Sequence, residues 1–195
     1  MNRGRPREFD REEALEKAMQ VFWRNGYEAT GLSELLSAMN IARQSLYCAF
    51  GDKRSLFLEA VRHYVETQSP HRLIVMLGAA DSPLAGIRQT LEALVDVPSD
   101  QQVLGCLLCN ASAEFGMRDP EIAQIVRDGL ASIEEAFAQA LRRAVDRGEV
   151  TQDLDVTSLA RTLTTTIVGL SLLARLQVDR EHRRDVVKST LRLLG

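Results

Sequence analysis

The stretch "ATGLSELLSAMNIARQSLYCAF" restricts what this chain can fold into more than any other. It holds two short apolar-periodic segments joined by "MNIA", and helices of about two turns are marginal in water unless they pack on something. Leu32, Leu35, Leu36 and Met39 give the first segment one apolar face; Leu46 and Phe50 do the same for the second. Asn40 falls in the connection, where a tight turn needs a left-handed residue, and asparagine tolerates that conformation best after glycine. Thr30 stands where it would cap the first segment. The cover is "REEALEKAMQVFWRNG", with Leu15, Met19 and Phe22 at i, i+4 and i+7 and Gly26 as a stop. The expectation is a helix-turn-helix unit of three helices.

The rest of the chain reads as helix, and no segment alternates convincingly as a strand does. "GDKRSLFLEAVRHYVETQ" keeps helical spacing through Leu56, Phe57, Ala60, Val61 and Tyr64 until Pro70 breaks or kinks it. Ser82 and Pro83 open another helix, a cap followed by a first-turn proline, and Asp119 and Pro120 open a long one that stops at Gly148. The expected fold class is all-α: about nine helices, an N-terminal helix-turn-helix module of three helices followed by a larger C-terminal helical bundle. Its 45% apolar content supplies a sizeable core, and 26% charged residues of mixed sign exclude bulk disorder and a uniformly basic coat. The most apolar run, "TLTTTIVGLSLLA", is bracketed by Arg161 and Arg175 and falls short of the roughly 18 residues of a membrane span, so no membrane partner is expected. Three cysteines without a secretory apolar region point to a reducing cytoplasm. His63, His71 and His182 are scattered, and Cys106 and Cys109 lack a second close pair; no metal or other cofactor is expected. No nucleophile, base and orienting group stand together, so the chain does not read as an enzyme.

Charge is unevenly spread. The chain is at -3 overall, yet residues 1–62 sum to +1, and Arg3, Arg5 and Arg7 precede the first acid at Glu8. A local basic arm on an acidic protein points to a nucleic-acid module at that end. Arg43, Gln44 and Ser45 stand at the front of the second short helix, the part of such a unit that meets base edges in the major groove. Arginine suits guanine edges and glutamine adenine edges. The Arg-Gly-Arg-Pro of the arm resembles the core of minor-groove AT-hook peptides, which places Arg3, Arg5 and Arg7 in the minor groove beside the half-site; a solvated basic tail is the alternative.

Across "FWRNGYEATGLSELLSAMNIARQSLYCAFGDKRSLFLEAV" the chain resembles the TetR/AcrR family of bacterial transcriptional regulators. The likeness lies in G-Y-x-x-T, a short helix, S-L-Y-x-x-F-x-x-K and L-F in that order; Asn40 departs from the usual turn glycine. The resemblance implies a cytoplasmic, nucleoid-associated repressor that binds an inverted-repeat double-stranded operator as a homodimer and is released by a small apolar or electrophilic effector. It implies that Tyr47 and Lys53 hold DNA phosphates, the lysine where the N–H groups of the fourth helix also face the anion. Thr30 would cap the second helix and touch a phosphate. The resulting division is a flexible basic arm over 1–8, a helix-turn-helix domain over 9–54 and an effector-binding and dimerisation domain over 55–195.

In that last part, Leu159, Leu163, Ile167, Leu170 and Leu173 line one face of a helix, and Val186, Val187, Leu191 and Leu194 line the next. By the resemblance these two helices form the dimer interface; an intramolecular core is the alternative. Met76, Leu94, Leu107, Leu108, Phe115, Phe137 and Leu141 are candidates for an apolar effector pocket, or ordinary core. Cys106 and Cys109, three apart, share a helix face and form a candidate electrophile or redox sensor, since TetR subfamilies with a similar "G-C-L" include such sensors. The rival to an effector-controlled repressor is a constitutive or architectural DNA-binding protein whose bundle only dimerises.

Overall fold

A computed structural model of the chain describes residues 9–96 and 104–194, and among these every regular element is helical. The chain divides into two compact units, Met1–Tyr64 and Val65–Gly195.

In the first unit, α1 (Arg11–Asn25) starts because the Asp10 carboxylate accepts the Glu12 and Glu13 amides at 2.9 and 3.0 Å. It stops at Gly26, whose positive φ of 82° lets its N–H turn back to the Phe22 carbonyl at 2.8 Å. The buried face of α1 comprises Ala14, Leu15, Ala18, Met19, Val21 and Phe22. Phe22 meets Phe57 edge-on at 5.0 Å, and burying each such ring contributes about 1.5–3 kcal/mol. Then come α2 (Leu32–Met39), α3 (Arg43–Phe50) and α4 (Lys53–Thr67).

Pro70 does not bend α4. That helix ends at Thr67, and Pro70 lies in the first turn of α5 (Ser69–Ala79), where its missing N–H costs nothing. The segment behind the proline is thus a helix of its own, which brings the described α-helices to ten. Next are α6 (Pro83–Ala93), α7 (Leu107–Phe115), α8 (Pro120–Asp146), α9 (Val156–Arg175) and α10 (Arg180–Leu191). Ser82 caps α6 as expected, accepting the Ala85 amide at 3.1 Å. The long α8 is the spine of the second unit and packs against α5, α6, α7 and α9. Gly129 lets α7 come close to it, because a Cβ there would stand 2.7 Å from Leu108 Cδ1.

The core of this unit takes up most of the residues that the sequence offered for a dimer interface. Leu159, Leu163, Ile167 and Leu170 of α9, with Val187 and Leu191 of α10, are buried against Leu77, Ile87, Phe137 and Leu141 of the same chain. They are occupied inside one protomer, and Leu173 is half-buried. The outward side of α9 carries Thr162, Thr165, Gly169 and Leu172 at alternating steps of three and four, with Leu176 following at its C-terminal cap; Leu172 is 55% and Leu176 64% exposed. By length and composition α9 does meet the requirement for a membrane span, contrary to the inference from its bracketing arginines. Its inner face is that of a core helix, with Leu163 and Leu170 fully enclosed.

The candidate pocket residues are spread over several elements of this unit. Met76 is 41% exposed, Phe137 and Leu141 lie in the core just described, and Leu94 packs at its edge. Leu107 and Leu108 are buried on α7 and Phe115 is half-buried at its end.

Candidate nucleic-acid interface

The turn between α2 and α3 is built as its sequence requires. Asn40 is left-handed (φ 55°, ψ 45°), its N–H reaches the Ser37 carbonyl at 3.3 Å, and the Ile41 amide reaches Leu36 at 3.2 Å. This fixes the direction in which α3 leaves. Leu46 and Phe50, one helical turn apart, are buried and clamp α3 to the unit, so Arg43, Gln44, Tyr47 and Cys48 face outward and Ser45 is half-buried. Tyr47 is 49% exposed. Ala42 precedes α3 and offers no capping side chain, so the first amides of α3 keep no side-chain acceptor beside an arginine and a glutamine. An uncapped, exposed helix start attracts an anion.

Arg11 braces the far end of α3. Its guanidinium lies 4.6 Å from the centre of the Phe50 ring, donates to the Ala49 carbonyl at 3.3 Å and pairs with Glu59 of α4 at 2.6 Å. Periodicity marked Arg11 only as the first residue of a helix; nothing in its spacing signals this positioning role. Lys53 opens α4 with its ammonium 4.3 Å from the centre of the Tyr27 ring, so the tyrosine of G-Y-x-x-T orients the lysine of S-L-Y-x-x-F-x-x-K.

Two expectations change. Thr30 does not cap α2: the cap position is Gly31, and the Thr30 hydroxyl donates to the Gly26 carbonyl at 2.5 Å. With the residue 1% exposed, that hydroxyl is unavailable to a phosphate, and Thr30 instead pins the α1–α2 connection. At the start of α4, the Asp52 carboxylate accepts the Ser55 amide at 2.7 Å, and this bond holds its pKa below the ordinary carboxylate value. The anion expected at that helix start is therefore already supplied by the chain. Arg3, Arg5 and Arg7 lie outside the described residues.

In the second unit, Cys106 is the buried cap residue of α7 and Cys109 lies half-buried behind it. A hydrogen bond between the two thiols, and then burial, push the Cys109 pKa well up, so Cys109 holds its proton. Gly105, at φ 71°, lies so near Arg175 of α9 that a Cβ would come within 3.2 Å of its Cδ. A side chain there would be strained by the backbone and would have to displace Arg175.

Two family models match this chain: "Bacterial regulatory proteins, tetR family" over residues 14–60 and "Tetracyclin repressor-like, C-terminal domain" over residues 83–190. YezE of Bacillus subtilis (strain 168), an uncharacterized HTH-type transcriptional regulator, is 36% identical over 98% of this chain and 99% of its own length. The HTH-type transcriptional repressor ComR of Escherichia coli (strain K12) is 31% identical over 98% of this chain and 92% of its own. Among solved structures, a cysteine mutant of the TetR family transcriptional regulator CifR, complexed with 26bp double-strand operator DNA, matches with a TM-score of 0.83 and 34% identity. The match covers 98% of this chain and 100% of that one. The reduced form of Escherichia coli NemR shares the fold, with a TM-score of 0.84 at 19% identity over 95% of this chain and 97% of that one.

Proposed function

Because this chain belongs to the TetR family of bacterial transcriptional regulators, we propose that it is a homodimeric repressor that binds an inverted-repeat operator and is released by a small-molecule effector. The observation that carries this is the exposed start of α3, where Arg43 and Gln44 stand on an uncapped helix end with Tyr47 one turn on and Lys53 held nearby on Tyr27. Such an end enters the major groove with its side chains on base edges and its amides toward a phosphate. Arg3, Arg5 and Arg7 then take the adjacent minor groove. The operator complex of CifR and the repressor ComR, both above 30% identical, support the DNA partner and the sign of regulation.

One such helix reads only a few base pairs, so two copies are needed for specificity. The outward stripe of α9 is the surface for it: Gly169 has open space where its Cβ would be, which permits close approach of a second helix, and Leu172 and Leu176 supply the apolar contact. An effector acts by binding better to the dimer whose two α3 helices are wrongly spaced for the operator; equal affinity for both arrangements would release nothing. A constitutive architectural protein, in contrast, would respond to no ligand.

A thiol trigger is favoured by one observation, the Cys106–Cys109 pair at the head of α7. Hydrogen bonding with Cys106 and burial hold the proton on Cys109, so the two thiols are within reach of one another. Testing it requires care with Cys48, exposed on the DNA-facing side of α3, where alkylation would block binding for a different reason. In a Cys48→Ser background, a thiol-alkylating compound is expected to release the operator, and adding Cys106→Ser is expected to abolish that release while leaving binding intact. Release that persists without Cys106 assigns the response to another group.

A further inference from the structure

We propose that the groove between α6 and α10 is a binding site for an organic anion with an apolar body, such as an alkyl carboxylate or alkyl phosphate. The groove is open to one side and offers about 630 Å³, the size of a small-molecule site. Its floor is Val95, Val187 and Leu191. Its walls carry Arg88 from α6 and Arg184, Lys188 and Arg192 from the α10 side, the last three at i, i+4 and i+8 and hence about 6 Å apart along one face.

Glu181 and Asp185 stand three residues before Arg184 and Lys188 on the same helix, but no ion pair joins them among the described residues. Like charges one turn apart repel each other along a helix, and among the described residues these four cations form no ion pair. Of the two acids in the groove, Asp96 is held by Arg180, which leaves only Glu92 against four positive groups. The buried Arg183 adds to the field: it donates to the Leu94 carbonyl at 2.9 Å, next to the groove's Val95, and its Nε has no acceptor among the described residues. All this stands in the part of the chain, residues 63–195, whose charge sums to -4. A negative head group among the cations with a hydrocarbon body along the floor satisfies both features. Neither an uncharged apolar compound nor a bare anion does. The groove lies on the α6 side of α10, apart from the outward stripe of α9 and from the thiols of α7, so the proposal stands independently of dimerisation and thiol sensing.

The test is calorimetric titration of the full chain with decanoate, decyl phosphate, decanol and inorganic phosphate, each below its micelle concentration. Decanoate and decyl phosphate are expected to bind, with affinity that falls as salt is raised. Decanol and inorganic phosphate are expected to bind at least about tenfold more weakly, and the relative strength of the two charged amphiphiles identifies the head group. Arg184→Gln with Lys188→Gln, both exposed and off the core, is expected to weaken the charged amphiphiles about tenfold with an unchanged melting temperature. Cys106→Ser is expected to leave binding unaltered. Decanol or inorganic phosphate binding as tightly as decyl phosphate overturns the proposal, as does equal binding by the double variant or no binding at all. None of these results touches operator binding.

Discussion

Leu172→Arg is expected to yield a folded chain that sediments as a monomer and binds a two-half-site operator about 10²–10⁴-fold more weakly, the factor lost when two tethered binding events become one. Leu172 is more than half exposed on α9, so the substitution removes little internal contact, while a charge at the centre of a helix pair leaves two arginines facing each other across it. The contrasting substitution is Leu163→Ala. Leu163 is fully enclosed by the core of its own protomer, so it is expected to lower unfolding stability by about 2–5 kcal/mol and to change association only through that loss. Denaturant unfolding and sedimentation on the same two variants separate the faces of one helix. A dimeric Leu172→Arg would return the interface to another surface.

The second large effect concerns base reading. Arg43→Ala and Gln44→Ala are each expected to cost about 1–3 kcal/mol against the preferred operator and to relax preference at one base position per half-site. Both side chains are exposed at the start of α3 and hold up nothing in the fold, so melting temperature should not change. Lys53→Ala should act differently: its ammonium sits on the Tyr27 ring rather than in a base-reading position, so affinity is expected to fall alike for all sequences. The slope of log affinity against log salt should then flatten by about one. Competition of each variant between operator and scrambled duplex, across a salt series, checks all three. Loss of sequence preference in Lys53→Ala would assign it to base contact instead.

The helix-turn-helix was legible because its signals are local. Asn40 reports its own left-handed conformation, Gly26 its own stop, and the short spacing of Leu35, Met39, Leu46 and Phe50 leaves a single way to bury them. Thr30 misleads because threonine before a helix is both a good cap and a good partner for a nearby carbonyl; the buried Gly26 carbonyl wins. The dimer stripe is hard to read for a physical reason of another kind. A helix in a bundle that also dimerises has two contact faces, and the more apolar one, Leu159 to Leu170, goes to the core. The face left outside is weaker in hydropathy, two threonines, a glycine and two leucines, and is visible only once the first face is placed. The candidate pocket residues are ambiguous likewise: apolar side chains at helical spacing do not say whether they line a space or fill it.

The measurement that bears most directly on the central claim is footprinting of the purified protein on double-stranded DNA flanking its own gene, with excess random duplex as competitor. A protected, two-fold-symmetric sequence whose protection disappears in Leu172→Arg and shifts in base preference in Arg43→Ala is the predicted result. Protection no stronger than that of the competitor DNA would contradict the account of this chain as an operator-specific dimeric regulator.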